Sequence, residues 1–458
     1  MTAHTAMTDE AARVKEWYTS RFRQLERALN GESRTPLHVL RRDALARFSA
    51  LGFPTTENEE WRFTNVAPIA RAEFAPVLRY ERDGVSDADI ERIARGTGDA
   101  IRMVFVNGHF APEFSSIPPL PKGVRVESLG AALKTDPDLV ARFLTRQATY
   151  HDNAFTALST AFLLDGAFIH LEDHAALELP VDLLYIASGR TSPFVSAPRT
   201  LVVAGRDTRL AVVERYAGLA QNMYWTNAVT EVFAAEGAVI EHDSLQTEGG
   251  HAYHVGNTHF LLAGKSTVTS NAIVLGGAFV RNNVSAVFDG EHAECTLNGL
   301  AVATGTQHVD NHTAIDHAKP NCASHELYKA ILDGASKGVF NGKIFVRKDA
   351  QKTDAKQTNK TLLLSDEATI DTKPQLEIFA DDVKCTHGAT VGQLDGEQVF
   401  YLRSRGVGEA DARDLLTFAF ASDVVSRIHA GELRAQLDTM LHARLLQGRV
   451  AAEDLCTP

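Results

Sequence analysis

Residues 259–280, HFLLAGKSTVTSNAIVLGGAFV, decide the fold: short apolar runs of strand length follow one another with Gly-containing breaks and no room for a helix between them. The same texture extends outward in both directions, through GAVIEHDSL (237–245), TRLAVVERY (208–216), RTLVVAG (199–205) and IRMVFVNG (101–108) on one side and GKIFVRKDA (342–350) on the other. Apolar and polar residues alternate within the runs, and Gly and Asn punctuate them roughly every ten residues, which is a strand-and-turn signature. Past Leu201 no extended helix is expected before residue 400, apart from one helical turn at His325–Leu332. A doubly wound sheet needs a helix at each crossover, so it is excluded, leaving a sandwich, a closed barrel or a β-solenoid. Even spacing and the scarcity of hairpin dipeptides, Asn107-Gly108 excepted, favour the solenoid, although no residue-level repeat is visible.

The flanks change period. Trp17, Phe22, Leu25 and Leu29 recur at helical spacing, as do Leu37, Leu40, Leu45 and Phe48. Helical interruptions are expected near 129–147 and 153–163. Beyond 409, Leu415, Phe418, Ala419 and Val425 form one apolar stripe, and Leu433, Leu437 and Leu441 another. The division expected is a helical region over 1–95, a β core over 96–405 and a second helical region over 406–458.

With 458 residues, 44% hydrophobic and 23% charged, the chain can bury a sizeable core. A formal charge of −12 argues against nucleic acid and anionic membrane surfaces as partners. Cys295, Cys322, Cys385 and Cys456 stand far apart, with no CxxC pair, so a reducing cytoplasm fits better than a secreted disulfide framework. No run reads as a targeting signal or a membrane span.

Catalytic motifs are missing. Ala263-Gly264-Lys265-Ser266 imitates the end of a phosphate-binding loop, but His259 stands where the first Gly belongs. Gly338 to Lys343 fails because Ile344 replaces the required Ser or Thr, and both stretches read as turns. His308, Asp310 and His312 would share one face of a strand, with His317 and Cys322 close behind; imidazole plus carboxylate suits iron or zinc. Alternation alone produces such triples, so a polar face or hydrogen-bonded ladder is the preferred reading. His251, His254 and His259 lack ligand spacing.

Cys385 and His387 carry better chemistry. Within the strand-like stretch 374–406 they share one face and offer thiolate and imidazole, both recognised ligands in iron-sulfur chemistry. Two ligands do not complete an iron site, so sulfide, water or a facing subunit must supply the rest. Incomplete ligation suits a site that hands its cargo on. The competing reading makes Cys385 a small buried apolar residue and His387 an interface histidine.

Several blocks resemble the SufD branch of the SufB/SufD family of iron-sulfur cluster assembly. They are Leu51-Gly-Phe-Pro-Thr-Thr56 with Glu60-Trp-Arg-Phe-Thr64, the His308–Thr313 and Ile315–His317 segments, Ser324–Lys329, the stretch 341–365, and Ala380–Gly392. SufB chains typically carry an acidic EHEA-type segment where this sequence reads Cys-Thr-His-Gly-Ala. The resemblance implies a mainly β fold: a right-handed parallel β-helix (β-solenoid) flanked by N-terminal and C-terminal helices. It also implies a complex of SufB, this chain and the ATPase SufC, with SufC docking on the C-terminal helices. Cys385 and His387 would then face SufB and serve as metal ligands for a transient Fe-S cluster or iron shared with SufB, none being permanently bound by this chain alone. A homodimer is possible in isolation. The chain would be a scaffold, not an enzyme; a purely structural adaptor that stabilises SufB and recruits SufC is the alternative. A polysaccharide-cleaving β-helix enzyme is disfavoured, because no carboxylate cluster stands out.

Overall fold

The computed structural model describes residues 2–29, 35–190, 192–220 and 222–446, so Cys456 lies outside the described residues. The chain is mainly β, 39% strand and 27% helix, and its strands wind into a β-solenoid of about 8 turns flanked by helices from both ends of the chain. Two long sheets of 11 and 10 strands form its walls. Strands alternate between the walls, and along each stack they pair in parallel; Tyr253, Phe279, His308, Lys337 and Thr369, for example, stand in one column. Coil length drifts, from 28 residues at Asp243/Asn271 to 29 at Arg281/Asp310 and 31 at Glu326/Gln357, which is why no fixed repeat shows in the sequence.

Antiparallel pairing is confined to the first coil. Strand Ile101–Val106 turns back on His109–Phe110 through Asn107 and Gly108, both at positive φ, the conformation an Asn-Gly hairpin demands. Strand Val124–Ser128 runs antiparallel to Gly166–Leu171.

Helices α1 (Thr2–Ala28), α2 (Pro36–Leu51), α3 (Ala67–Arg71) and α4 (Asp87–Ile93) precede the first coil. Tyr18, Phe22, Leu25 and Phe48 are buried, and they belong to one cluster with Trp225, Val255 and Phe279 of the 11-stranded sheet. The expected interruptions are α5 (Leu129–Thr135), α6 (Pro137–Phe143) and α7 (Ala154–Ala161). After the last strand come α8 (Gly396–Ser404), α9 (Glu409–Val425) and α10 (Gly431–Leu446). Leu433, Leu437 and Leu441 of α10 are buried as expected, together with Leu245, Ile273, Leu300 and Leu327 of the 10-stranded sheet. Helices α1 and α2 therefore pack on the 11-stranded wall and α10 on the 10-stranded wall, while α4 packs through Ile90 on the first strands of the 10-stranded wall. No described helix is long and apolar enough to cross a membrane.

Four local readings change. His325–Leu332 belongs to strand Ala323–Leu332, bonded in register on both sides. Residues 374–406 are strand only as far as Gly392, and α8 follows. On α9 the buried face is Ala412, Thr417, Ala421, Val424 and Val425, whereas Leu415 and Ala419 are exposed. Gly338–Lys343 lies inside strand Lys337–Val346, while Gly264-Lys265 is the expected turn, with Lys265 at φ 57°.

Candidate functional site

The solenoid stops on two edge strands. Thr369–Ile378 ends one wall and Lys384–Gly392 ends the other, each paired on a single side. Eight of the nine residues of Lys384–Gly392 are exposed, and none of Thr369–Ile378 is buried. An uncovered edge of this length presents a row of backbone donors and acceptors ready to pair with another chain. Val391 on the edge strand, Phe379 just before it, and Phe400 and Tyr401 on α8 just after it are 47%, 59%, 72% and 56% exposed. A rim of this kind marks an interaction surface.

Cys385 and His387 sit on the terminal strand, paired opposite Ala355 and Gln357, and their spacing places both on the face turned to the solenoid interior. Cys385 is half-buried beside Ile344, Val346, Ala355 and Leu376. Burial pushes its thiol above the ordinary cysteine range, the Ala355 backbone opposing and Asp354 adding to the shift. The group is therefore a protonated thiol at neutral pH, and a metal must displace that proton to bind. His387 is exposed at the rim. One coil below it, Gln357 Nε2 donates to Glu326 Oε2 at 2.7 Å. Burial raises the Glu326 carboxyl to about 7, with the hydrogen bonds from Gln357 and Thr313 opposing. In the same register column stand Leu297, Ser270 and His242, and His242 contacts Ser270 at 3.0 Å and Glu214 at 3.1 Å. His387 thus tops a partly polar interior column whose deeper members lie too far away in sequence for alternation to reveal.

The other histidines do not converge on a metal site. His308, Asp310 and His312 do face one way, onto the segment after α2. Asp310 accepts from Arg281 and from Thr64, and His312 Nε2 lies 3.1 Å from Asp310 Oδ1. His308 meets Thr64 Oγ1 at 3.0 Å, and the Arg281 guanidinium lies 4.2 Å over the Trp61 ring. Arg281 beside it, and His312, hold the Asp310 carboxyl well below the usual carboxylate range despite burial. This cluster is a structural lock, the hydrogen-bonded ladder of the preferred reading. His317 is stacked on Phe288 and bonded to Ser324, and Cys322 donates to Gly290 O. His254 pairs with Glu248 and His259 with Ser285, while His251 is an exposed turn residue. Among the described residues no group of three or more His, Cys, Asp and Glu is placed to hold a metal ion, so Cys385 and His387 are at most half of one.

Comparison with known proteins decides the family. The model for "SUF system FeS cluster assembly, SufBD core domain" matches residues 185–420, and that for the SufBD protein N-terminal region matches residues 12–183. The chain belongs to the SufBD family. It is 31% identical over 414 residues to the iron-sulfur cluster assembly SufBD family protein slr0076 of Synechocystis sp., covering 89% of this chain and 90% of that protein. To the iron-sulfur cluster assembly protein SufD of Escherichia coli it is 31% identical over 399 residues, covering 87% of this chain and 90% of that protein. Against the chloroplastic protein ABCI7 of Arabidopsis thaliana identity is 28% over 414 residues, covering 88% and 85%. This SufBD protein is close to SufD in sequence, and its own sequence carries no ATPase motif. The SufBD core match contains the terminal strand with Cys385 and His387, and the SufBD N-terminal match contains Glu60, Trp61 and Thr64, which give that segment its lock.

Proposed function

We propose that this chain is the SufD-type, non-ATPase scaffold subunit of a cytoplasmic complex with SufB and the ATPase SufC, supporting iron acquisition and nascent cluster assembly at the SufB contact. The observation that carries the reading is the unfinished end of the solenoid: an edge strand bearing a thiol, an imidazole and the exposed Val391, with exposed Phe379 before it and Phe400 and Tyr401 on the helix after it. A strand of SufB added to this edge supplies the missing backbone partners and brings further donors to Cys385 and His387. Iron and sulfide are then substrate and cargo. His387 offers an imidazole nitrogen to iron, and Cys385 gives up its proton to ligate. Without SufB, a second copy of this chain pairs on the same edge. SufC docks on the C-terminal helices, where Leu415 of α9 is exposed while the α10 leucines are committed to the solenoid. Lys329 ties that region to the core through Asp423 at 2.7 Å and Phe420 O at 3.0 Å, giving a rigid path between the two contacts.

The protonated state of Cys385 and the absence of a third nearby donor among the described residues favour one alternative, a structural adaptor that stabilises SufB and recruits SufC while SufB alone holds the cluster. Anaerobic reconstitution of the co-purified complex separates the two. If His387→Ala or Cys385→Ala lowers iron and sulfide content with subunit stoichiometry intact, this chain contributes ligands; if the cluster is unchanged in both, it is an adaptor.

A further inference from the structure

Helix α10 does not lie flush on the 10-stranded wall. Between its solvent-side turns, the end of α4 and the coil turns after residues 215, 245 and 275 lies a cavity of about 580 Å³. Leu219, Leu245 and Met440 give it an apolar lining. Its charges run against those of the chain as a whole, which is −12: four guanidiniums, Arg92, Arg95, Arg215 and Arg444, line it against two carboxylates, Glu248 and Glu432.

Arg215 is 2% exposed and shares the buried Asp182 with Arg102, at 2.9 and 3.3 Å, so one carboxylate serves two guanidiniums and positive charge is left at the cavity wall. Its Nη1 donates to Ile93 O and to Gln436 Oε1, and its Nη2 has no hydrogen-bond partner among the described residues. A buried guanidinium left with an unmet donor is costly, and an anion would relieve it. Glu248 turns its oxygens to Thr226, Gln246 and His254 of the solenoid interior. Glu432 is exposed on the first turn of α10, against Gly98, and Arg95 is exposed near it. The volume falls in the range of small-molecule sites, and the lining combines apolar side chains with cations, of which Arg92 also pairs with Asp89 at 3.3 Å and Arg444 donates to Leu275 O.

We propose that this cavity binds a small organic anion, a phosphate-, sulfonate- or carboxylate-bearing molecule with an apolar body, clamped between α10 and the solenoid wall. The site is separate from the terminal strand, and the proposal does not depend on metal binding there. Fluorescence titration of the full chain with 8-anilinonaphthalene-1-sulfonate, which joins an anionic group to an apolar one, tests it. One saturable site is expected, weakened at least tenfold by Arg95→Glu, which reverses an exposed charge, and by Ala435→Trp, which fills the space from an exposed helix position. Arg23→Glu on α1 and Phe400→Ser at the apolar rim are expected to leave it unchanged. Absence of a saturable site, wild-type binding in either cavity variant, or loss of the signal in Phe400→Ser would overturn the proposal.

Discussion

The first and last coils of the solenoid are built of the same unit and finished in opposite ways. At the start, every residue of strands Val181–Ala187, Arg199–Ala204 and Tyr224–Ala234 is buried, beneath helices, antiparallel strands and an aromatic cluster. At the end, Lys384–Gly392 keeps its backbone edge and eight of its nine residues in solvent. A parallel strand stack gains little from hiding one end and leaving the other open unless something else completes it, since an open edge invites aggregation. The difference teaches that the covered coils hold the buried contacts, while the open coil keeps the unpaired edge on which the proposed association rests.

The largest effect should come from unlocking the covered part. Asp310→Ala leaves the buried Arg281 guanidinium without its carboxylate and frees the Thr64 and His312 contacts. Loss of one member of a buried pair costs about 3–5 kcal/mol. Urea unfolding should show a midpoint lowered accordingly, and a shift under about 1 kcal/mol would mean the lock holds nothing. Leu437→Ala on α10, fully buried against the opposite wall, should cost roughly 2–5 kcal/mol by the same measurement, because a cavity remains where the side chain was. If the two variants differed widely, the two helical regions would not be equivalent covers.

A pH titration sharpens the comparison further, because the solenoid interior holds titrating groups of both signs. Burial lowers His317 to about 4. Between that value and the ordinary 6.5 the native state binds fewer protons than the unfolded chain, so stability falls as pH drops through that window, by up to ~1.4 kcal/mol per pH unit. Glu326, raised to about 7, acts the other way: between about 4.5 and 7 the native state holds the extra proton, and stability is lost as pH rises. His317→Gln should flatten the acid-side decline of the melting temperature, and Glu326→Gln should raise stability at pH 8 while steepening the decline below 7. Parallel curves for wild type and both variants would show that neither group titrates on unfolding.

How much of this was legible depended on whether the deciding contacts were local. Strand-length runs without helices led to the solenoid, and the parity of Cys385 and His387 placed them on one face without further information. The segment 325–332, His-Glu-Leu-Tyr-Lys-Ala-Ile-Leu, carries good helix formers, yet pairing with Thr296–Ala303 on one side and Lys356–Leu363 on the other overrides propensity. Helix α8 was missed for the opposite reason: Asp395 caps it, but its exposed Phe400 and Tyr401 disrupt the apolar stripe that would announce it. Gln357 and Glu326, the neighbours beneath His387, lie one and two coils back, and a drifting coil length conceals that adjacency in the sequence.

The smallest effects on the isolated chain belong to the open end, and there the comparison is most exposed to failure. Val391→Lys and His387→Ala remove nothing buried, since both side chains lie in solvent, so each should shift unfolding by no more than about 0.5 kcal/mol. An interface reading nevertheless requires that Val391→Lys, an edge charge of the kind that blocks strand addition, abolish co-purification with SufB and any self-association seen by sedimentation. His387→Ala, by contrast, should preserve assembly and alter only iron and sulfide content. A Val391→Lys chain that still assembles would place the contact elsewhere and leave the exposed strand unexplained, whereas a loss of assembly with unchanged stability separates what holds this chain together from what it is shaped to meet.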